Sequence, residues 1–484
     1  MRPQFQQLDG DLAEQIITEA KIVLAEVGVD IGDDETRSFL ADHGAGVDGA
    51  DGRVRISASM VEAALDTTPL SFSLFDVLGE ETHRFEGNRT HFTPGSAAIN
   101  ILDRSTGEIR SAVTSDLVNL AKLVSGLPRY DAQSTALVSS DVPEAISDSY
   151  RLFLGLLHCE KPAVTGAFTI EGFEVLRDLL LAVRGSVDEL TAKPVGMLTC
   201  CPTAPLRWTD EGSQNLMDCA RLRIPVEIIP VPLTGFMAPV TLVGTLIQHT
   251  AEVLSGVVIA QLVQPGTPLL FGGSPAIFDL RYETTPMGAI ETTMLTCAAA
   301  EIGKRLGMPT QGYISLSDSK ALDAQAGLET GIGAILAALT GIDNVSGPGM
   351  LDFESCQSLE KLVVDHEICL MTDRLTAGIE PREDFPSRAL FEELLAEKHL
   401  MIADHTRRHL RSELTFPGPV IDRMARARWL EEGAATLGEN AASEVDRIIG
   451  AFTPSRIGDD VKKELEEVMT AAARANGMDT LPER

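Results

Sequence analysis

Tyr313, Ser315, Ser317, Asp318, Ser319, Lys320, Asp323 and Gln325 fall within one stretch, GYISLSDSKALDAQA over Gly312–Ala326, the densest group of polar side chains in the sequence. At a strand end alternate residues face the same way. There Tyr313 offers a π face and Asp318 a negative charge, a combination that holds a cation, and Ser315 and Asp323 extend the polar lining. The structural alternative has Asp318 capping the next helix and Asp323 lying in a solvated loop. Phe92, Phe236 and Phe353 lie at or just past other candidate strand ends in a chain with only 5% aromatic residues. They are candidates for the walls of an ammonium cage, with core packing as the alternative for any one of them.

Other signals point away from common chemistries. His405 and His409 in HTRRH are four apart, compatible with one helix face, but the Glu of H-E-x-x-H is missing and a structural pair is the better reading. His366 and Glu367 are left open between the pocket mouth and solvent. Seven cysteines include no C-x-x-C pair, and adjacent Cys200 and Cys201 are poorly placed to share a metal. Reduced buried thiols and no tightly bound metal are expected. No G-x-S-x-G, G-x-G-x-x-G or G-x-x-x-x-G-K-[ST] occurs, so neither a nucleophilic triad nor a phosphate loop is indicated.

The elements that would position these residues alternate. Candidate strands are Thr90–Thr93, Gln133–Ser139, Ala163–Phe168, Val195–Cys200, Val226–Pro230, Leu269–Gly272, Thr310–Leu316 and Asn344–Gly347. Helical stretches such as Ser115–Ser125, Tyr150–His158, Glu211–Leu222, Leu242–Leu262 and Ala326–Leu339 lie between them. Strand–helix–strand repetition of this kind means parallel β-structure with crossover helices. Eight such strands predict an α/β fold, a (β/α)8 TIM-type barrel, with the site at the C-terminal strand ends. An open doubly wound sheet is the alternative. Residues 1–89 read as an N-terminal α+β cap, with a helix over Leu12–Val27, short strands at Arg53–Ile56 and Phe72–Phe75, and a polar loop over Gly79–Asn88. Residues 90–355 form the barrel, and 356–484 a C-terminal helical extension packed on it.

A formal charge of −31, from 40 basic and 71 acidic residues, excludes nucleic acid as the expected partner. The strand ends are rich in Gly, Pro and hydroxyl groups and poor in Lys, Arg and His, which argues against a phosphorylated substrate. The longest apolar stretch, Val253–Val263, is shorter than the ~20 residues of a bilayer span, and the N-terminus has no signal-like segment. A cytoplasmic location without membrane contact is expected, together with self-association as a homo-oligomer. The residues alone reach as far as a barrel enzyme for a small, non-phosphorylated ligand.

Four stretches carry a resemblance that goes further: AEVGVDIGDDETRSFLADHGAGVD, GFMAPVTLVGTLIQHTAEVLSGVVIAQLVQPGTPLLFGG, the segment from Ser317 to Ile368, and HTRRHLRSELTFPGPVIDRMARARW. Together they resemble the trimethylamine methyltransferase family from one end of the chain to the other. The resemblance implies a TIM barrel that moves a methyl group from a methylated amine to the cobalt of a corrinoid, as cob(I)alamin or methylcobalamin chemistry, on a separate cognate corrinoid protein. It also implies a pyrrolysine at a strand end, in the segment matching Ser317–Asp323 here, for the archaeal enzymes that use trimethylamine. This sequence has only standard residues there, and relatives without pyrrolysine are associated with quaternary amines such as glycine betaine. On that reading Asp318 and Tyr313 are the candidate catalytic residues, and Phe92, Phe236, Ser315, Asp323 and Phe353 the candidate substrate contacts. Gly272, Gly347 and Gly349 would give the flat corrin room to approach. The alternatives are a barrel enzyme of another class, trimethylamine as donor, or a non-catalytic binder of betaines or of a corrinoid protein.

Overall fold

Eight short parallel strands organise the chain from residue 91 onward in a computed structural model that describes residues 2–47, 49 and 52–484. They are β1 (His91–Thr93), β2 (Gln133–Ser134), β3 (Ala163–Gly166), β4 (Gly196–Cys200), β5 (Val226–Ile228), β6 (Leu269–Phe271), β7 (Gln311–Gly312) and β8 (Asn344–Ser346). Strands β6-β5-β4-β3-β2 form one parallel sheet and β7-β8-β1 another. The sheets meet at both edges through single parallel bridges, Phe92 with Tyr130 and Phe271 with Thr310. The architecture is mixed α/β with parallel strands.

A helix follows each strand: α1 (Thr114–Ser125), α2 (Ser147–His158), α3 (Ile170–Arg184), α4 (Asp210–Arg221), α5 (Leu242–Val263), α6 (Ile290–Arg305), α7 (Ala324–Thr340) and α8 (Leu359–Thr376). Their starts are set by local chemistry. Thr169, Thr209, Thr241, Asp323 and Ser358 each cap a helix by accepting a first-turn backbone N–H. Gly185 and Gly341 end α3 and α7 at φ 79° and 82°, where a Cβ would be strained. α5 is long and apolar enough to pass for a membrane span, yet 78% of its most apolar window is buried. It packs against Gly10–Ile22, Ala58–Thr67 and α4, which explains why it is apolar all round.

Three expectations change. The loop expected over Gly79–Asn88 contains a strand, Glu81–Phe85, which pairs antiparallel with Phe72–Phe75, and Arg53–Ile56 forms only isolated bridges. The boundary at residue 355 cuts a hairpin, because Met350–Leu351 pairs with Cys356–Gln357, and that strand pairs in turn with Asn100–Leu102. α8 then packs on α7 and completes the alternation of strand and helix at Thr376. The helices Leu437–Gly450 and Asp459–Ala475 share one apolar core with the N-terminal helix and the strands, from Ile16 through Leu254 to Met469.

The loop after β8 is held by a buried ion pair. Lys361 Nζ lies 2.5 Å from Asp365 Oδ2 and donates to Thr330 Oγ1 at 2.8 Å, while Asp365 accepts the Gly349 N–H at 2.6 Å. Removing one member strands the other charge, at a cost of about 3–5 kcal/mol. Lys361→Met is expected to lower stability by about that much, read as a reduced midpoint in chemical denaturation. An unchanged midpoint would mean the pair does not hold this loop.

Candidate functional site

A cavity of about 500 Å3 opens at the C-terminal ends of the strands, where parallel α/β folds place their sites. The ends of β1, β3, β4, β5, β6, β7 and β8 contribute Ser96, Phe168, Cys201, Val231, Ser274, Tyr313 and Glu354 among others, and α2 adds Arg151. Three aromatic rings, Phe168, Tyr313 and Phe353, face it together with one buried carboxyl and one buried guanidinium.

Each of these groups has a structural reason to be where it is. Asp352, Phe353 and Glu354 all have positive φ, at 48°, 57° and 69°. Left-handed backbone costs roughly 1–2 kcal/mol per non-glycine residue, and three in succession turn Phe353 and Glu354 back into the cavity wall. Such strain persists where surrounding structure imposes it and is a pointer to function. One face of the Phe353 ring carries Lys320, whose Nζ is 3.8 Å from the centroid. Glu354 Oε1 is buried without a hydrogen-bond partner, and burial, reinforced by Asp318, pushes its carboxyl up to about 8. Tyr313 is 8% exposed. Burial and the nearby Glu227 and Glu354 raise its phenol well above the ordinary range, against a hydrogen bond with Ser96 that lowers it, so it is a neutral hydroxyl.

Beneath Tyr313 the strands are joined by polar contacts. Glu227 accepts from Thr199 Oγ1 at 2.6 Å and from Asn344 Nδ2 at 3.2 Å, and Thr93 Oγ1 donates to Asn344 Oδ1 at 3.1 Å. Burial pushes the Glu227 carboxyl up to about 7, against both hydrogen bonds. Cys201 also lines the cavity and is exposed to it, in contrast to the buried Cys200 beside it. Among the described residues no group of three His, Cys, Asp or Glu is arranged to hold a metal. What the arrangement can do is seat a small amphiphilic molecule between rings, a carboxyl and a guanidinium, away from water.

Of the catalytic, substrate and corrin candidates read from the sequence, Tyr313 and Phe353 line the cavity and the others do not; Cys200 and Cys201 line it as well. Phe92 is fully buried with the Arg129 guanidinium 4.8 Å above its ring, so a cation of the protein already occupies that face. Phe236 is exposed and stacks on Phe278 at 4.7 Å. Ser315 is buried at φ 69° under α7, where a Cβ on Gly333 would meet its backbone nitrogen at 2.6 Å. Asp318 accepts the Met287 and Gly288 N–H groups at 2.8 and 2.9 Å, and burial pushes it up to about 6. It holds the loop that brings Met287 to the cavity, and its charge is felt at Glu354. Asp323 is the exposed cap of α7.

The three glycines answer to the protein's own packing. A Cβ on Gly272 would lie 2.5 Å from Ile229 Cδ1, and one on Gly347 2.0 Å from Ile314 O. Gly349 has φ 87° and Gln357 Oε1 2.0 Å from its missing Cβ. His405 and His409 lie on Asp404–Glu413, away from the cavity, with ring centroids 4.9 Å apart. His366 receives the Arg129 N–H at 3.2 Å, and Glu367 receives that of Gly418 at 3.0 Å.

The groups missed were Arg151, Phe168, Glu227 and Glu354. Arg151 and Glu227 had a readable signal, a charge inside an otherwise apolar helix (YRLFLGLL) and an apolar strand (VEII).

Fold and cavity together define a parallel-stranded α/β protein with a pocket at the C-terminal ends of its strands. The family described as trimethylamine methyltransferase (MTTB) matches residues 1–477. The trimethylamine methyltransferase MttB of Methanosarcina thermophila is 29% identical over 454 residues, covering 92% of each chain. MttB of Desulfitobacterium hafniense (strain DSM 10664 / DCB-2) is 26% identical over 92% of this chain and 90% of its own. The glycine betaine methyltransferase of Desulfitobacterium hafniense (strain Y51) is 26% identical over 98% of both. The crystal structure of the Methanosarcina barkeri monomethylamine methyltransferase (MtmB) shares the fold at a TM-score of 0.52 and 9% identity, covering 98% of this chain and 89% of that one. The chain belongs to the trimethylamine methyltransferase family.

Glu227 gives a pH-dependent stability with a definite sign. In the unfolded chain it ionises near its ordinary 4.5, whereas in the fold it keeps its proton to about 7. Its contribution is therefore present in full below the first value and is lost as pH rises through the second, at about 1.4 kcal/mol per unit between them. Glu227→Gln is expected to remove that slope from denaturation midpoints measured across the window. The same slope in the variant would exclude Glu227 as its source.

Proposed function

We propose that the protein moves a methyl group from a quaternary amine, glycine betaine or a related compound, to the Co(I) corrinoid of a separate partner protein. The observation that carries this reading is the cavity wall itself: the faces of Tyr313 and Phe353 beside the unpartnered carboxyl of Glu354. Aromatic faces and a carboxylate are what a methylated ammonium binds. A nitrogen with four carbon substituents leaves as a neutral tertiary amine when its C–N bond breaks and it keeps the electron pair. The chain then has to hold the cation, orient one methyl group toward the mouth and keep water out, which is catalysis by position and electrostatics.

When docked, the corrinoid supplies the nucleophilic electron pair that takes the methyl group. The mouth fits a docked partner, since Phe168 and Val231 at the cavity, and Leu280 and Tyr282 on the loop after β6, are exposed apolar side chains. The bridges that join the two sheets at both edges support a closed (β/α)8 barrel with the cavity at its C-terminal mouth.

We place the chain in the cytoplasm and as a homo-oligomer. The arm over 379–431 supports self-association. Its helices Arg388–Glu397, Asp404–Glu413 and Arg426–Glu431 bury no residue, and Ile379, Phe385 and Met401 are 94%, 82% and 78% exposed. Light scattering is expected to give a mass above one chain, and Phe385→Asp with Met401→Asp to reduce it. A monomeric parent would exclude this role for the arm.

Incubation with cob(I)alamin and a quaternary amine is expected to discharge the Co(I) visible spectrum. No change with any of a panel of betaines would overturn the function. Because Glu354 holds its proton to about 8 in the empty pocket, a permanent cation binds with proton release. Affinity should rise with pH up to about that value and then level off. Glu354→Gln should weaken binding by roughly ten-fold, about 1.4 kcal/mol, and flatten the pH profile. Titration calorimetry at several pH values checks both.

A further inference from the structure

Arg151 is 3% exposed on α2, one turn after the equally buried Asp148, and its guanidinium is short of close partners. Nη1 donates to Thr135 O at 3.2 Å, and Nη2 to Asp148 Oδ1 at 3.2 Å and Gly166 O at 3.4 Å. Nε, fully buried, donates to nothing. A guanidinium has five N–H donors, and charge-assisted bonds to a carboxylate usually close to about 2.7–2.9 Å. Every bond made here is longer. Asp148 cannot improve the match, because its other oxygen is committed to the Phe168 N–H at 2.6 Å. Burying a cation so loosely paired is unfavourable, which leaves the fold with a cationic fork that wants an anion.

The position of that fork makes it part of the pocket. Arg151 lines the cavity, and the Phe168 ring lies over its guanidinium at 4.9 Å. Phe353 and Glu354 line the same cavity, and the Tyr313 phenol is within electrostatic reach of both Arg151 and Glu354. The pocket therefore offers an anion a place at Arg151 and a cation a place at Glu354. A lone ammonium would satisfy one half and leave Arg151 as it is. A planar carboxylate matches the fork in two parallel hydrogen bonds.

We propose that Arg151 is the carboxylate receptor of this pocket, so that the methyl donor is a zwitterion carrying both a carboxylate and a quaternary ammonium. The proposal rests on the quaternary-amine reading above and narrows it. Such a molecule has no net charge, so its entry is indifferent to the −31 of the chain. A cavity of about 500 Å3 also admits donors longer than the smallest betaine.

Glycine betaine and choline test it, because they share the trimethylammonium group and differ in carboxylate against hydroxyl. By calorimetry the parent protein is expected to bind glycine betaine at least ten-fold more tightly than choline, as a site built to pair a polar group rejects the analogue lacking it. Arg151→Gln should abolish that preference, lowering glycine betaine affinity far more than choline affinity, and Arg151→Lys should retain part of it. Equal binding of the two ligands by the parent protein would overturn the proposal without any variant, which covers the case in which Arg151→Gln fails to fold. A folded Arg151→Gln that keeps the preference would overturn it too. Failure of the parent to bind glycine betaine, choline and tetramethylammonium alike would instead overturn the quaternary-amine function beneath it.

Discussion

The hydrogen bond from Asn344 to Glu227 ties the two sheets together from the inside. Asn344 belongs to β8 and Glu227 to β5, strands of different sheets, and the bonds to Thr199 and Thr93 extend the contact to β4 and β1. Outside this row the sheets touch at their edges through single bridges. An apolar interior would have no preferred register between them, whereas a row of satisfied polar groups fixes one. The cavity floor, with Tyr313 above Glu227, inherits that register. The cost is a carboxyl that cannot ionise until pH is close to 7.

Rigidity above the floor comes from a different source. The loop after β8 has four residues with positive φ, Gly349 and the run Asp352–Glu354. Its conformation is not one the chain adopts on its own, and it is imposed from outside. The buried Lys361–Asp365 pair grips the Gly349 end, and the strand pairings of Met350–Leu351 and Cys356–Gln357 clamp both sides. The hairpin Asn100–Leu102 and Ile109–Ser111 extends that clamp as a four-stranded sheet. Phe353 and Glu354 are therefore delivered by long-range contacts, while the other walls come from strand ends and from the helices α2 and α4.

That difference decides what was readable. The strands and helices from residue 90 were legible because β-branched runs broken by Gly and Pro, and caps such as Thr169 and Thr209, are local signals. The rule that sites lie at strand ends then led to Tyr313 and Phe353. It failed for Asp318, Ser315 and Asp323 because a dense run of polar residues supplies its own partners. Asp318 is used by the Met287–Gly288 backbone, Asp323 by a helix N-terminus and Ser317 by Glu329. Nothing local distinguishes a polar group consumed by its loop from one left free. Arg151 was missed for the opposite reason, since it reaches the cavity from a helix, which the strand-end rule never examines. The C-terminal boundary went wrong because a two-residue strand such as Cys356–Gln357 has no periodicity to detect.

The two buried charges do different work in choosing a donor. A neutral tertiary amine entering the pocket can take the Glu354 proton and become an ammonium in place, with the carboxylate beside it. A quaternary amine arrives charged, and the Glu354 proton departs to solvent. Both end as the same ion pair against the same rings, and both would release a neutral amine once the methyl group has gone. Glu354 therefore favours a cationic donor without deciding which kind. Arg151 has no such tolerance, because a guanidinium stays protonated and its unpaired Nε cannot be satisfied by an alkyl group. With the carboxyl end of a betaine the fork closes; with trimethylamine it stays open and buried, at a desolvation cost of about 1–3 kcal/mol that the ligand does nothing to offset. On the proposed function, the discrimination between a betaine and a tertiary amine would thus fall on a residue that never meets the nitrogen.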